Sequence, residues 1–185
     1  MNEEIINALK SFNWQKITDY GRSLDELNDA QYRFAKGLAV EFAVEKFADK
    51  DLKYVGEAHK DYIWPKFTLS AELKSQFSAN MFDKKGSLKP EFDIKLNNSN
   101  GTNKQQVLDP NHVADILIVC RKDGAFVIDK DLILRKARAL GDGWNLTVTK
   151  EDVTIIAGPL TQQQTFTPGI KKAINEAIKQ SIPSL

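Results

Sequence analysis

Three ionisable residues in this chain have the types and spacing needed to hydrolyse a phosphate ester: Asp61, then after ten residues Glu72-Leu73-Lys74. The segment from Phe67 to Lys74 alternates apolar and polar residues, which predicts a strand with Phe67, Leu69, Ala71 and Leu73 on one face and Thr68, Ser70, Glu72 and Lys74 on the other. Glu72 and Lys74 then stand side by side, with Asp61 supplied by the turn leading in. Carboxylates grouped this way bind hard divalent cations, which polarise a phosphate and acidify bound water. An ammonium beside them orients or deprotonates the attacking water and offsets charge on the pentavalent transition state. No covalent intermediate is required.

Asp83, followed after nine residues by Asp93-Ile94-Lys95, satisfies the same formula. The first group is preferred because its strand is longer and alternates cleanly, whereas Asp83 adjoins the irregular Lys84-Lys85-Gly86.

The rest of the composition narrows the chemistry. With 185 residues, 42% of them hydrophobic and 28% charged, the chain suits one domain with a substantial core. Lys plus Arg number 26 against 25 Asp plus Glu, a net charge of +1 that excludes both a polybasic tail and a polyacidic decoy. The single cysteine, Cys120, excludes an internal disulfide framework and an all-cysteine zinc site, and it fits a reducing compartment. With only two histidines, His59 and His112, a catalytic metal would be held by carboxylate oxygens, which favours Mg²⁺, with Mn²⁺ able to substitute. No run reaches the roughly 18 to 20 apolar residues of a membrane helix, and the acidic start lacks the basic region of a secretory signal, so the chain is expected to be cytoplasmic.

Positioning these groups requires helices, then strands. Ile5, Ile6, Leu9, Phe12, Trp14 and Ile17 predict a helix over 3–20, with a connection over 22–28. A second helix is predicted from Asp29 to Asp49, where Glu41 and Glu45 project within about 20° of Phe34 and border the apolar stripe. Tyr54-Val55 and 92–96 read as strands, 97–103 as an Asn-rich loop, and 113–120 with 125–128 as a hairpin turned by Asp123-Gly124. A helix over 131–139, strands over 146–148 and 153–156, and a helix over 168–182 complete the reading. Together they predict a single α/β (α+β) domain with a central mixed sheet flanked by helices. Residues 1–50 form its helical part, 52–158 a β-rich core, and 168–182 a C-terminal helix.

The run Asp61-(ten residues)-Glu72-Leu-Lys-Ser75 resembles the active-site signature of the PD-(D/E)XK nuclease superfamily, in particular type II restriction endonucleases of the PvuII-like group, where the pattern also ends in Glu-Leu-Lys-Ser. The resemblance extends over roughly residues 54 to 135. It departs at Lys60, where the family name has Pro, a position that varies among restriction enzymes. It implies a restriction-endonuclease-like core and Mg²⁺-dependent cleavage of double-stranded DNA at a specific short sequence by a homodimer, leaving 5′-phosphate and 3′-hydroxyl ends. It also implies Asp61, Glu72 and the Leu73 carbonyl as metal ligands, Lys74 as the catalytic lysine, and a helix glutamate near the metals, Glu45 ahead of Glu41. A cognate DNA methyltransferase would complete the system.

Within that picture Asn97, Asn98, Asn100 and Asn103 are the first choice for base contacts, since one amide can pair bidentately with adenine. Ser75 and Gln76 follow the lysine directly and are expected at the same groove, and Gln162-Gln-Gln164 forms a second polar cluster. Lys95 and Lys104, with Lys84, Lys85, Lys89, Arg135, Lys136 and Arg138, are the phosphate-contact candidates. The N-terminal helices are the candidate dimer surface. Alternative readings are a repair or mobile-element nuclease, one subunit of a heterodimeric restriction enzyme, and a non-catalytic DNA-binding domain in which Asp61, Glu72 and Lys74 form a surface ion cluster.

Overall fold

The structure, a computed structural model, describes residues 1–25, 33–57, 59–96, 108–140 and 143–161. Asn2 caps the first helix, α1 (Glu3–Lys10), by accepting the Glu4 N–H at 3.0 Å. The single helix expected over 3–20 is two helices. Ser11 Oγ donates to the Ala8 carbonyl at 2.6 Å, and Asn13 Oδ1 accepts the Lys16 N–H at 3.1 Å, so one helix closes and α2 (Trp14–Asp25) starts afresh. This turn lets Leu9, Phe12, Trp14 and Ile17 all reach one core. α3 (Arg33–Phe47) buries Val40 and Val44 in that same core.

Among the described residues nine strands follow: β1 (Lys53–Glu57), β2 (Lys60–Trp64), β3 (Leu69–Gln76), β4 (Glu91–Leu96), β5 (Ile116–Arg121), β6 (Gly124–Asp129), then, after helix α4 (Lys130–Lys136), β7 (Arg138–Leu140), β8 (Gly143–Thr149) and β9 (Thr154–Ala157). They make a mixed α+β fold in which the expected mixed sheet is present and a second, smaller sheet accompanies it among the described residues. The larger is six-stranded in the order β1-β2-β3-β5-β6-β9, and the smaller is three-stranded in the order β4-β8-β7. In the larger sheet β3 and β5 run parallel, and the other pairs are antiparallel.

β4 separates from the main sheet because its residues alternate between exposed and buried, with Phe92 and Ile94 inward and Asp93 outward. Such a strand suits a two-layer contact with one wet face. β5 and β6 are instead apolar along almost their whole length and lie buried on both faces. One face of the six-stranded sheet (Tyr62, Trp64, Ala71, Leu73, Ile118, Cys120) packs against α1, α2 and α3. The other (Leu117, Val119, Phe126, Ile128) packs against α4 and the small sheet.

Arg121 fastens the two sheets. This buried guanidinium donates to Gln76 Oε1 at 3.1 Å and to the Asp93 carbonyl at 2.9 Å, and lies 5.1 Å from the Phe92 ring centroid. The helix expected over 131–139 stops at Lys136: Ala137 turns extended, and Arg138 and Ala139 pair with Asn145 and Trp144. Among the described residues no helix is long and apolar enough to cross a membrane. The predicted helix over 168–182 lies outside the described residues.

Candidate functional site

β3 carries the Glu72-Leu73-Lys74 tripeptide. Its burial alternates, with Ala71 and Leu73 in the helix-side core, so Glu72 and Lys74 project from the opposite face. Asp61 belongs to a strand, not to a turn. The segment from Lys60 to Trp64 alternates too, with Tyr62 and Trp64 buried, and a 3₁₀ turn over Pro65–Phe67 with Thr68 in the left-handed region makes the corner into β3. Continuing the β2–β3 register of Tyr62↔Ala71 by one step sets Asp61 opposite Glu72.

The antiparallel pairing ends at that point, and the Asp61 carboxylate takes over. Asp61 Oδ2 accepts the Leu73 backbone N–H at 2.6 Å. The N–H and C=O of one strand residue project toward the same edge, so the Leu73 carbonyl lies on the Asp61 side of β3. Glu72 Oε1 accepts from Lys74 Nζ at 2.5 Å, with both side chains about four-fifths buried.

Glu41 on α3 is the third carboxylate of the group. Burial raises its pKa, and the Glu72 charge adds to the rise, while a hydrogen bond from Tyr54 and the Lys74 charge oppose it. The Asp61 carboxyl is pushed up to about 7: burial is the main cause and Glu72 the next, Glu41 adds to it, and the Leu73 N–H and Lys74 act the other way. Tyr54 is pushed up to about 12, by burial and then by the Glu41 charge and hydrogen bond. Glu45 is differently employed: its Oε1 accepts the Tyr54 backbone N–H at 3.2 Å and tethers α3 to β1. The Glu41 carbonyl does similar work, accepting from the Tyr62 hydroxyl at 2.7 Å.

Asp61, Glu72 and Glu41 lie close enough to feel one another's charge, and Lys74 offsets part of it. Among the described residues no cluster of three or more His, Cys, Asp or Glu side chains converges as a metal site. Asp61, Glu72 and the Leu73 carbonyl still fit Mg²⁺, which commonly uses one or two carboxylates and keeps several waters.

A crevice of about 50 Å³ opens beside the group, with Glu72, Lys74, His59 and His112 in its wall and Leu117 and Leu96 among its apolar lining. A larger groove of about 600 Å³ lies between α2 and α3, bordered by Phe42, Phe47 and Lys46 and by none of these site residues.

The other expected residues are scattered. Asp83 accepts the Lys85 and Ser87 N–H groups at 2.8 and 2.9 Å within its own turn. Asp93 accepts from Thr147 Oγ1 at 2.6 Å on the exposed face of the small sheet, where Lys95 also points outward. Ser75 and Gln76 do not share a groove, because strand alternation sends them to opposite faces. Ser75 is exposed, and both ends of the Gln76 amide are engaged: Oε1 by Arg121, and Nε2 by the Asp93 carbonyl at 3.3 Å. Asn97, Asn98, Asn100, Asn103, Lys104 and the Gln162–Gln164 cluster lie outside the described residues.

Tyr54 was not foreseen at the site, and the sequence alone gives one of His59 and His112 no more than a contact to phosphate or base. A polar stretch between two short strands was the sole signal for His59. The chain matches no protein-family model, no curated protein and no solved structure.

Proposed function

We propose that this chain is a phosphodiester hydrolase acting on double-stranded DNA, a type II restriction endonuclease with a restriction-endonuclease-like core. The observation that carries the reading is the meeting of Asp61 and Glu72-Leu73-Lys74 on adjacent strands, with the Asp61 carboxylate on the Leu73 N–H and the Glu72–Lys74 pair at the wall of a crevice.

Asp61, Glu72 and the Leu73 carbonyl would hold Mg²⁺, which when bound supplies a polarised phosphate and a more acidic water. The protein's own groups do the rest. Asp61 is held in place by the Leu73 N–H, so its other oxygen is presented at a fixed point beside β3. The Lys74 ammonium, fixed on Glu72, orients a water for in-line attack and offsets charge growing on the phosphate oxygens. Glu41, tied to Tyr54, adds negative charge behind the two carboxylates and strengthens their pull on a cation. The apolar wall of the crevice limits competing solvent and strengthens each of these interactions.

Specific cleavage by a homodimer, with a cognate methyltransferase shielding host DNA, follows from the same reading. The test is incubation of the protein with plasmid and phage DNA in Mg²⁺ and in EDTA. Discrete bands that need Mg²⁺ are the expected result. A smear points to a repair or mobile-element nuclease, and a gel shift without cleavage points to a DNA-binding domain whose Glu72–Lys74 contact is an ion pair alone.

A further inference from the structure

The two histidines of the chain come together at the crevice. Their rings stack with centroids 4.3 Å apart and planes inclined by 20°. His59 follows β1 with φ 76°, a left-handed conformation that a residue bearing a Cβ adopts at a cost and that recurs at ligand clamps. His112 closes a 3₁₀ turn over Pro110–His112, and Asp109 Oδ2 lies 3.6 Å from its Nδ1. An element between β1 and β2 and another just before β5 thus deliver two imidazoles to the wall that already holds Glu72 and Lys74.

The size and chemistry of this space select its occupant. About 50 Å³ is several times what one water needs and far below the roughly 300 to 1,000 Å³ of a small-molecule pocket, so a whole nucleoside does not fit. Around it stand an ammonium and two imidazoles against a single carboxylate, with apolar side chains elsewhere. Glu72 is taken up by Lys74 at 2.5 Å, and the two imidazoles and the ammonium offer N–H donors that an anion can accept.

We propose that the stacked His59–His112 pair is a phosphate seat, which grips a backbone phosphate next to the one handled at Glu72 and Lys74 and so fixes the position of the strand. That the phosphate belongs to a nucleic-acid strand rests on the nuclease reading above; that the seat takes a phosphate at all does not.

Because the chain has only these two histidines, a ¹H–¹⁵N spectrum of this 185-residue chain reads both imidazoles without crowding. Inorganic phosphate, titrated in EDTA at constant pH and ionic strength, should shift both sets of ring signals together, with an equal concentration of chloride leaving them in place. In the cleavage assay, His112→Asn and His59→Asn, the latter suited to a positive φ, should each raise the KM for DNA about tenfold and leave kcat within about twofold. Ring signals unmoved by phosphate overturn the seat. So does an unchanged KM in both variants when the wild-type protein cleaves. A wild-type protein that binds phosphate at the histidines and cuts no DNA keeps the seat and removes the nuclease reading.

Discussion

Asp61 on β2 accepts the Leu73 backbone N–H of β3 at 2.6 Å, so a side chain stands where the strand pairing would otherwise continue. This substitution opens the sheet at one point and leaves a carboxylate, a backbone carbonyl and Glu72 along a single edge. It also keeps Asp61 among other negative charges, those of Glu72 and Glu41.

Without a divalent cation, stability should fall as pH rises between about 4 and 7. The Asp61 carboxyl sits at about 7 in the folded protein against 3.8 for the group free of its surroundings, so the folded state binds the extra proton in that window. Its contribution is full below 3.8 and is lost as pH climbs through 7, on the order of a few kcal/mol. Thermal unfolding in EDTA from pH 4.5 to 8 measures this. Asp61→Asn, which can still accept the Leu73 N–H, should flatten the profile and be the more stable protein at pH 8.

Mg²⁺ should reverse that loss. Binding to the folded chain at a hundredfold excess over Kd stabilises it by about 2.7 kcal/mol, so Tm at pH 8 should rise by several degrees. In Glu72→Gln the rise should shrink sharply or vanish. The comparison is a pair of melting curves for each protein, with Mg²⁺ and with EDTA.

Lys74→Met should lower kcat about 10²- to 10⁴-fold, the usual scale for a group that handles a proton or charge in the transition state. The DNA gel shift should change little, because one of several basic contacts is lost. Circular dichroism of the variant guards against a folding defect, since Glu72 loses its partner at 2.5 Å.

Arg121→Leu should destabilise the protein by about 3 kcal/mol, because it strips the bonds from Gln76 Oε1 and the Asp93 carbonyl between the two sheets. Arg121→Lys should restore little of this, since a single ammonium cannot span both acceptors and lie against Phe92. Urea unfolding midpoints distinguish the two variants.

How far these features could be read from the chain depends on how local they are. The face shared by Glu72 and Lys74 is a matter of alternation within one strand, and it is visible in the sequence. β2 is five residues long and ends at Trp64-Pro65, so it looks like a corner, and its strand character comes from pairing on both sides. The small sheet is hidden for the same reason: β4 pairs with β8, Phe92 opposite Val148, across more than fifty residues of chain. Arg121 looks like part of a hairpin turn, yet it is buried because Phe92, Gln76 and Asp93 arrive from elsewhere. Glu41 and Glu45 are nearly equivalent on a helical wheel, and only the placement of Tyr54 on β1 separates them, one bonded to its side chain and the other to its backbone.

The central claim is that Asp61, Glu72 and Lys74 form the reacting centre and that Asp83, Asp93 and Lys95 do not. Cleavage of phage DNA in Mg²⁺ by Glu72→Ala and by Asp93→Ala, side by side with the wild-type protein, tests it most directly. Loss of cutting by at least 10²-fold in Glu72→Ala, with Asp93→Ala cutting as the wild type does, is the predicted result. Cutting retained in Glu72→Ala and lost in Asp93→Ala would contradict it.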